Sequence, residues 1–150
     1  YSMTGWRLGY GIFPKNIYSY AEKLAINCHS CVNSATQFAG IEALRGDQKQ
    51  VTNMIKEFKS RRDYLVNELN SIENISCLKP GGAFYVFPKI NKNQMNSAQI
   101  SKFLLEKKYV ATVPGSSFGL NGENFLRVSY ASSIKNLREF ITRLRSFMND

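Results

Sequence analysis

The sequence predicts an α+β fold in which helices pack on a small, largely antiparallel sheet. Three observations carry this. Residues 51–72 repeat apolar side chains (Val51, Ile55, Phe58, Leu65, Leu69, Ile72) along one helical stripe that only Arg62 interrupts. Ile134, Leu137, Ile141, Leu144 and Met148 form a second stripe near the C-terminus. Between them lie short β-rich runs separated by turn residues, at 75–78, 83–87, 109–113 and 125–130.

Each element follows from its local chemistry. Residues 1–13 are aromatic and punctuated by Gly5, Gly9 and Gly11, which predicts a loop running into a buried strand. Pro14 sits where a helix begins, and Ile17, Ala21, Leu24 and Cys28 follow at helical spacing. Ser34-x-x-Gln37 reads as a capping box for a short helix that ends near Leu44 and is stopped by Gly46. Asp47-x-x-Gln50 caps the long helix. Lys79-Pro80-Gly81-Gly82 is a turn or a close backbone approach, and the uninterrupted run 83–87 predicts a strand covered on both faces. Residues 91–97 form a polar surface loop, and Ser97 caps a helix through Lys107. A glycine-rich loop over 114–122 joins the last two strands, and the final helix spans about 133–148. The tail reads α-β-β-α-β-β-α; the first ~45 residues stand apart from it.

Composition narrows function. Lysine and arginine exceed aspartate and glutamate by 20 − 11 = 9 charges, which permits a basic module that binds nucleic acid but equally suits an enzyme with anionic ligands. The basic residues are dispersed over helices (Lys56, Lys59, Arg61, Arg62; Lys107, Lys108; Arg138, Arg143, Arg145), as on solvated faces. No apolar run approaches the ~20 residues of a membrane span. Three cysteines, an odd number, and the lack of a secretory pattern favour a reducing, cytoplasmic setting. Cys28-His29-Ser30-Cys31 has C-x-x-C spacing, but it follows a helix rather than a strand, so it reads as two free thiols. His29 is the only histidine, with no partner motif beside it.

Two arginines occupy unusual places. Arg7 lies between Gly5 and Gly9 with Ser2 and Thr4 nearby; its fork suits a phosphate, or a buried ion pair. In Phe125-Leu126-Arg127-Val128-Ser129-Tyr130, alternation sends Leu126, Val128 and Tyr130 to one face and Arg127 to the other. Arg127 therefore needs an anion, from a protein carboxylate or from a ligand. Pro114-Gly115-Ser116-Ser117-Phe118-Gly119 lacks the spacing of a phosphate-binding P-loop.

These residues resemble the pyridoxal-phosphate aminotransferases of class I/II, aspartate aminotransferase type. Residues 1–10 (Y-S-M-T-G-W-R-L-G-Y) are similar to the segment that follows S-K-x in that family. Asn33-Ser34-x-x-Gln37 with Ile41-Glu42-Ala43-Leu44 is similar to its next helix. Pro80–Val86, Val113–Gly119 and Leu126–Ala131 follow in the family's order.

The resemblance implies the C-terminal part of a fold-type I enzyme. Residues 1–45 would be a strip of the large cofactor-binding domain and 46–150 the small domain. It implies that the lysine bonded to pyridoxal phosphate lies two residues before Tyr1. No catalytic residue then falls within this chain, which is expected to lack transaminase activity by itself. Arg7 matches the cofactor-phosphate arginine, Arg127 the arginine for the substrate α-carboxylate, and Phe84 a pocket-lining position. Ser30 and Cys31 match positions near the partner subunit's cofactor phosphate, with Cys31 where a polar residue is common. The implied partners are an amino acid, aspartate-like, a 2-oxo acid and a second subunit, with neither nucleic acid, membrane nor metal. Trp6, Leu8, Tyr10 and Ile12 would need cover from outside this chain.

Overall fold

The computed structural model describes residues 1–92 and 95–150, so part of the predicted 91–97 loop lies outside the described residues. The chain divides into two compact units, Tyr1–Asn53 and Met54–Asp150.

In the first unit, a 3-10 turn (Thr4–Trp6) precedes helices α1 (Lys15–His29) and α2 (Ser34–Arg45). The predicted strand leading to Phe13 does not form: residues 8–14 are irregular. A strand needs a neighbour for its backbone N–H and C=O groups. Here Tyr10 is 80% and Ile12 91% exposed. Leu8 is half-buried, and its side chain lies against Gly40, where any Cβ would collide with it. No residue of α1 is buried, so its apolar residues face outward (Leu24 is 66% exposed). The cap of α2 is Asn33, not Ser34: its side chain accepts from the Thr36 N–H, while Gln37 donates to the Val32 carbonyl. Ser34 becomes the first helical residue because the asparagine before it reaches that N–H. Gly46 ends the helix, with φ −72°.

The second unit holds most of α3 (Lys49–Asn70), β1 (Ile75–Ser76), β2 (Tyr85–Val86), β3 (Lys89–Ile90), α4 (Ser97–Lys108), β4 (Val113–Pro114), β5 (Leu126–Ser129) and α5 (Ile134–Asn149). Asp47 falls one residue before the cap position of α3: its side chain accepts from the Lys49 N–H rather than from Gln50, and the Gln48 carbonyl takes the first helical bond, from Thr52. The α3 stripe is buried only over its second half: Leu65 and Leu69 are fully enclosed, but Ile55 is 58% exposed. Asn96 caps α4 in a reciprocal box with Gln99, displacing the predicted Ser97 by one residue. The Ser97 N–H donates instead to the Glu123 carboxylate at 2.6 Å. Tyr109 adopts a left-handed conformation (φ 54°) and closes α4, so the predicted strand at 109–113 shrinks to Val113–Pro114.

All strand pairings among the described residues are antiparallel: β1 with β3, and β5 between β2 and β4. A bridge between Lys89 and Phe125, with the Leu126 N–H donating to the Pro88 carbonyl, carries the β2–β3 run along β5. One face buries Val86, Ile90, Leu126, Val128 and Tyr130 in one core with Leu65 and Leu69 of α3, Ile100 and Leu104 of α4, and Leu137, Ile141, Leu144 and Phe147 of α5. The other face carries Tyr85, Phe87, Lys89, Phe125, Arg127 and Ser129. The expectation that 83–87 is covered on both faces therefore fails, since Phe84 and Phe87 are each 37% exposed. Helices occupy only one side of the sheet within this unit.

Leu69→Ala should destabilise the chain by about 2–5 kcal/mol, as for other fully buried leucines, read as a lower urea midpoint with unchanged slope. The Glu123 carboxyl is held below its usual range, chiefly by the hydrogen bond from the Ser97 N–H. A carboxyl lowered on folding stabilises above its unfolded value of about 4.3 and loses that effect as pH falls through its folded value. Glu123→Gln should therefore lower the urea midpoint at neutral pH, and the deficit should close on acidification; a pH-independent deficit would contradict this.

Candidate functional site

The central strand β5 presents Arg127 on the face opposite the core, as alternation predicts. The residue is half-buried. Its guanidinium carbon lies over two rings, 4.4 Å from the centroid of Tyr85 and 4.8 Å from that of Phe118. Tyr85 comes from β2, whose register pairs it with Ser129, two residues along β5. Phe118 comes from the 3-10 turn Gly115–Phe118 that follows β4. That turn is pressed close: a Cβ on Gly115 would meet the Gly122 carbonyl oxygen, so only glycine fits there.

Ring stacking engages the flat faces of a guanidinium and leaves its N–H edges available. Among the described residues no acidic side chain pairs with Arg127. Other acids of this unit are used elsewhere: Asp63 takes Arg62 and Lys79, Glu68 takes Arg145, and Glu123 takes Ser97. A half-buried cation set against two rings, with no described carboxylate on its N–H groups, is chemically matched to a planar anion that accepts two parallel hydrogen bonds.

Phe87 extends the aromatic surface. It stacks on Phe125 (5.1 Å, 10°) and meets Phe118 edge-on at 5.9 Å. Beside it a groove of about 520 Å³ is lined by Cys77, Leu78, Tyr85, Phe87, Lys89 and Phe125, among others. Burial pushes the Cys77 thiol above its ordinary value. Phe84 precedes Tyr85 and touches it (4.3 Å between centroids). The ring against Arg127 is thus Tyr85, with Phe84 one residue behind it.

Arg7 closes the Thr4–Trp6 turn in a left-handed conformation (φ 55°). Its backbone N–H and Nη1 both reach the Thr4 carbonyl oxygen at 3.3 Å. The side chain is exposed and pairs with no described carboxylate. Gly5 and Gly9 stand in open space, where a Cβ would meet nothing within 4 Å, so the backbone on either side is bare. The ion-pair alternatives for both arginines therefore find no partner among the described residues. Arg7 retains donors enough for a phosphate.

Ser30 terminates α1 with φ 59°, its N–H donating to the Ile26 carbonyl, and both Ser30 and Cys31 are exposed. Cys28 and Cys31 are free thiols. Several helical cations are neutralised internally: Arg61 by Glu57, Arg143 by Glu139, Arg145 by Glu68 and Lys108 by Asp150.

Sequence reasoning did not find Tyr85 or Phe118 as the flanks of Arg127. Alternation within 83–87 could have separated Tyr85 from Val86. The pairing register that brings Tyr85 to β5, and the turn that returns Phe118, leave no local signal.

Comparison with known proteins places the chain in a family. The family model for aminotransferase class I and II matches residues 1–144. The aspartate aminotransferase of Pyrococcus horikoshii is 42% identical over 96% of this chain and 37% of its own length. The aspartate/prephenate aminotransferase of Nitrosomonas europaea is 39% identical over 99% of this chain and 40% of its own. Among solved structures, an aromatic aminotransferase from Pyrococcus horikoshii superposes with a TM-score of 0.91 at 35% identity, covering 99% of this chain and 40% of that one. The chain spans about two fifths of the length of the curated relatives it matches. With motifs in order, a family model over nearly its whole length and a matching fold, the chain belongs to the class I and II aminotransferases.

Proposed function

We propose that this chain is the C-terminal part of an aminotransferase that moves an amino group between an aspartate-like amino acid and a 2-oxo acid with pyridoxal phosphate. The observation that carries the proposal is Arg127, an arginine set against two rings with no acid paired to it among the described residues. Its role is to take the α-carboxylate of the amino acid by two parallel hydrogen bonds. That contact fixes the orientation of the Cα–H bond, which is what a positioned proton transfer requires. Tyr85 and Phe118 hold the plane of the guanidinium so that little freedom is lost on binding.

Arg7 is proposed to hold the cofactor phosphate, supported by its exposed guanidinium and bare glycine flanks. Bound there, pyridoxal phosphate supplies the electron sink that makes the Cα proton removable. Phe84 is proposed to line the pocket behind Tyr85, and Ser30 and Cys31 to approach the phosphate bound by a partner subunit. Residues 1–45 act as a strip of the large domain and 46–150 as the small domain. The exposed apolar residues of the strip (Trp6, Tyr10, Ile12, Leu24) support burial against the rest of the enzyme and a homodimer partner. No described helix is long and apolar enough to cross a membrane, and the cytoplasm is the proposed compartment. A nucleic-acid function rests on net charge alone, and the internal pairing of helical cations speaks against it.

Two measurements test this reading. In the full-length protein, Arg127→Lys should lower kcat/KM for aspartate by roughly a hundredfold, because a lysine cannot pair bidentately; an unchanged value would contradict the assignment. The 150-residue chain alone should show no exchange between aspartate and 2-oxoglutarate. Measurable turnover would show that its own residues suffice.

A further inference from the structure

We propose that Asp63 is a positioning residue for the carboxylate site: it fastens the glycine turn that delivers Tyr85 to Arg127. The proposal rests on the reading of Arg127 as a carboxylate receptor and assigns a part of that site on a different helix.

The turn Lys79–Gly82 has little to define it from within. Neither Gly81 nor Gly82 adopts a positive φ, and a Cβ at either would meet nothing within 4 Å. Two adjacent glycines in open space carry the greatest backbone freedom available to a chain. Yet the turn leads straight into Phe84 and Tyr85, and Tyr85 must sit 4.4 Å from the Arg127 guanidinium carbon. The definition comes from ties at either end.

The exit is held from the core. The Tyr130 hydroxyl donates to the Ala83 carbonyl at 2.8 Å and the Tyr130 N–H to the Phe84 carbonyl at 2.9 Å. Tyr130 is 2% exposed and meets Phe58 edge-on, so this end moves only if the core does. Between the two ends Ala83 takes φ 62°, a conformation a residue with a Cβ keeps only where its surroundings impose it.

The entrance is held by charge, and Asp63 is its hub. Asp63 Oδ1 accepts from Lys79 Nζ at 2.8 Å and from Arg62 Nε at 2.9 Å. Arg62 Nη1, oriented by that pairing, donates to the Pro80 carbonyl at 3.1 Å. One carboxylate on α3 thus restrains two consecutive turn residues, one directly and one through Arg62. The Lys79 hydrogen bond is the largest influence holding the Asp63 carboxyl below its ordinary range; burial opposes it, and the weaker Arg62 hydrogen bond adds to the lowering. Other ion pairs on α3, Arg61–Glu57 and Glu68–Arg145, make no such link to the turn. Without Asp63 the fold keeps its core, but the entrance of the turn is released. Tyr85 then gains alternative positions, and Arg127 loses one of its two walls.

The test uses the 150-residue chain, labelled with nitrogen-15 and titrated with sodium propionate, following the Arg127 side-chain N–H resonance assigned through Arg127→Lys. Asp63→Asn should raise the propionate Kd by about threefold to tenfold while core amide resonances stay in place. Asp63→Glu should restore it to within about twofold, and Glu68→Gln, which removes an equal charge from the same helix, should leave it unchanged. Wild-type affinity in a folded Asp63→Asn chain, or equal weakening by Glu68→Gln, would overturn the proposal. Should Asp63→Asn fail to fold, Lys79→Gln removes one tie at a half-exposed side chain. That variant should raise Kd by about twofold or more, and an unchanged Kd would overturn the proposal as well. If the wild-type Arg127 resonance ignores propionate altogether, the carboxylate reading falls and this inference falls with it; the other negative results leave that reading standing.

Discussion

The constraint that organises this structure is an arginine, Arg127, that no described acid neutralises. Removing a guanidinium partly from water is costly, and proteins ordinarily offset that cost with a carboxylate. Here the chain offers aromatic rings instead, those of Tyr85 and Phe118. Rings stabilise the cation and fix its plane without occupying its hydrogen-bonding edge. The charge is therefore held in position but left to be completed by something from outside.

Much of the second unit serves that arrangement. Alternation in β5 sends Leu126, Val128 and Tyr130 into the core and Arg127 to the opposite face. The antiparallel register with β2 sets Tyr85 diagonally across from it, and the crowded turn around Gly115 and Gly122 returns Phe118. Three helices, α3, α4 and α5, pack one side of the sheet and none within this unit covers the other. A two-layer unit of this kind has one core face and one working face. Its core and its proposed site are thus carried by opposite sides of the same four-residue strand.

The long and periodic elements were legible in the sequence. Helix α5 forms close to its predicted span of about 133–148 and buries Leu137, Ile141 and Leu144 as the 3.6-residue period requires. The placement of Arg127 followed from period-2 alternation alone. Elements whose existence depends on a neighbour were misread. The aromatic run before Pro14 has the composition of a strand, but no partner strand lies beside it, so it remains irregular. The run 83–87 looks doubly buried because its aromatics are as apolar as core residues, whereas Tyr85 and Phe87 line the working face. Caps shifted by one residue at Asn33 and Asn96, where an asparagine adjoining a serine reached the helix N–H groups first. Tyr85, Phe118 and the Asp63 tether were invisible because each depends on pairing between segments distant along the chain.

The central claim is that the Arg127 edge awaits a carboxylate supplied by a ligand. A crystal structure of the chain grown with propionate addresses it most directly. The account requires both propionate oxygens on the guanidinium edge, with Tyr85 and Phe118 still stacked on its faces. Arg127 turned instead onto an aspartate or glutamate of its own chain, with propionate absent from that edge, would contradict it.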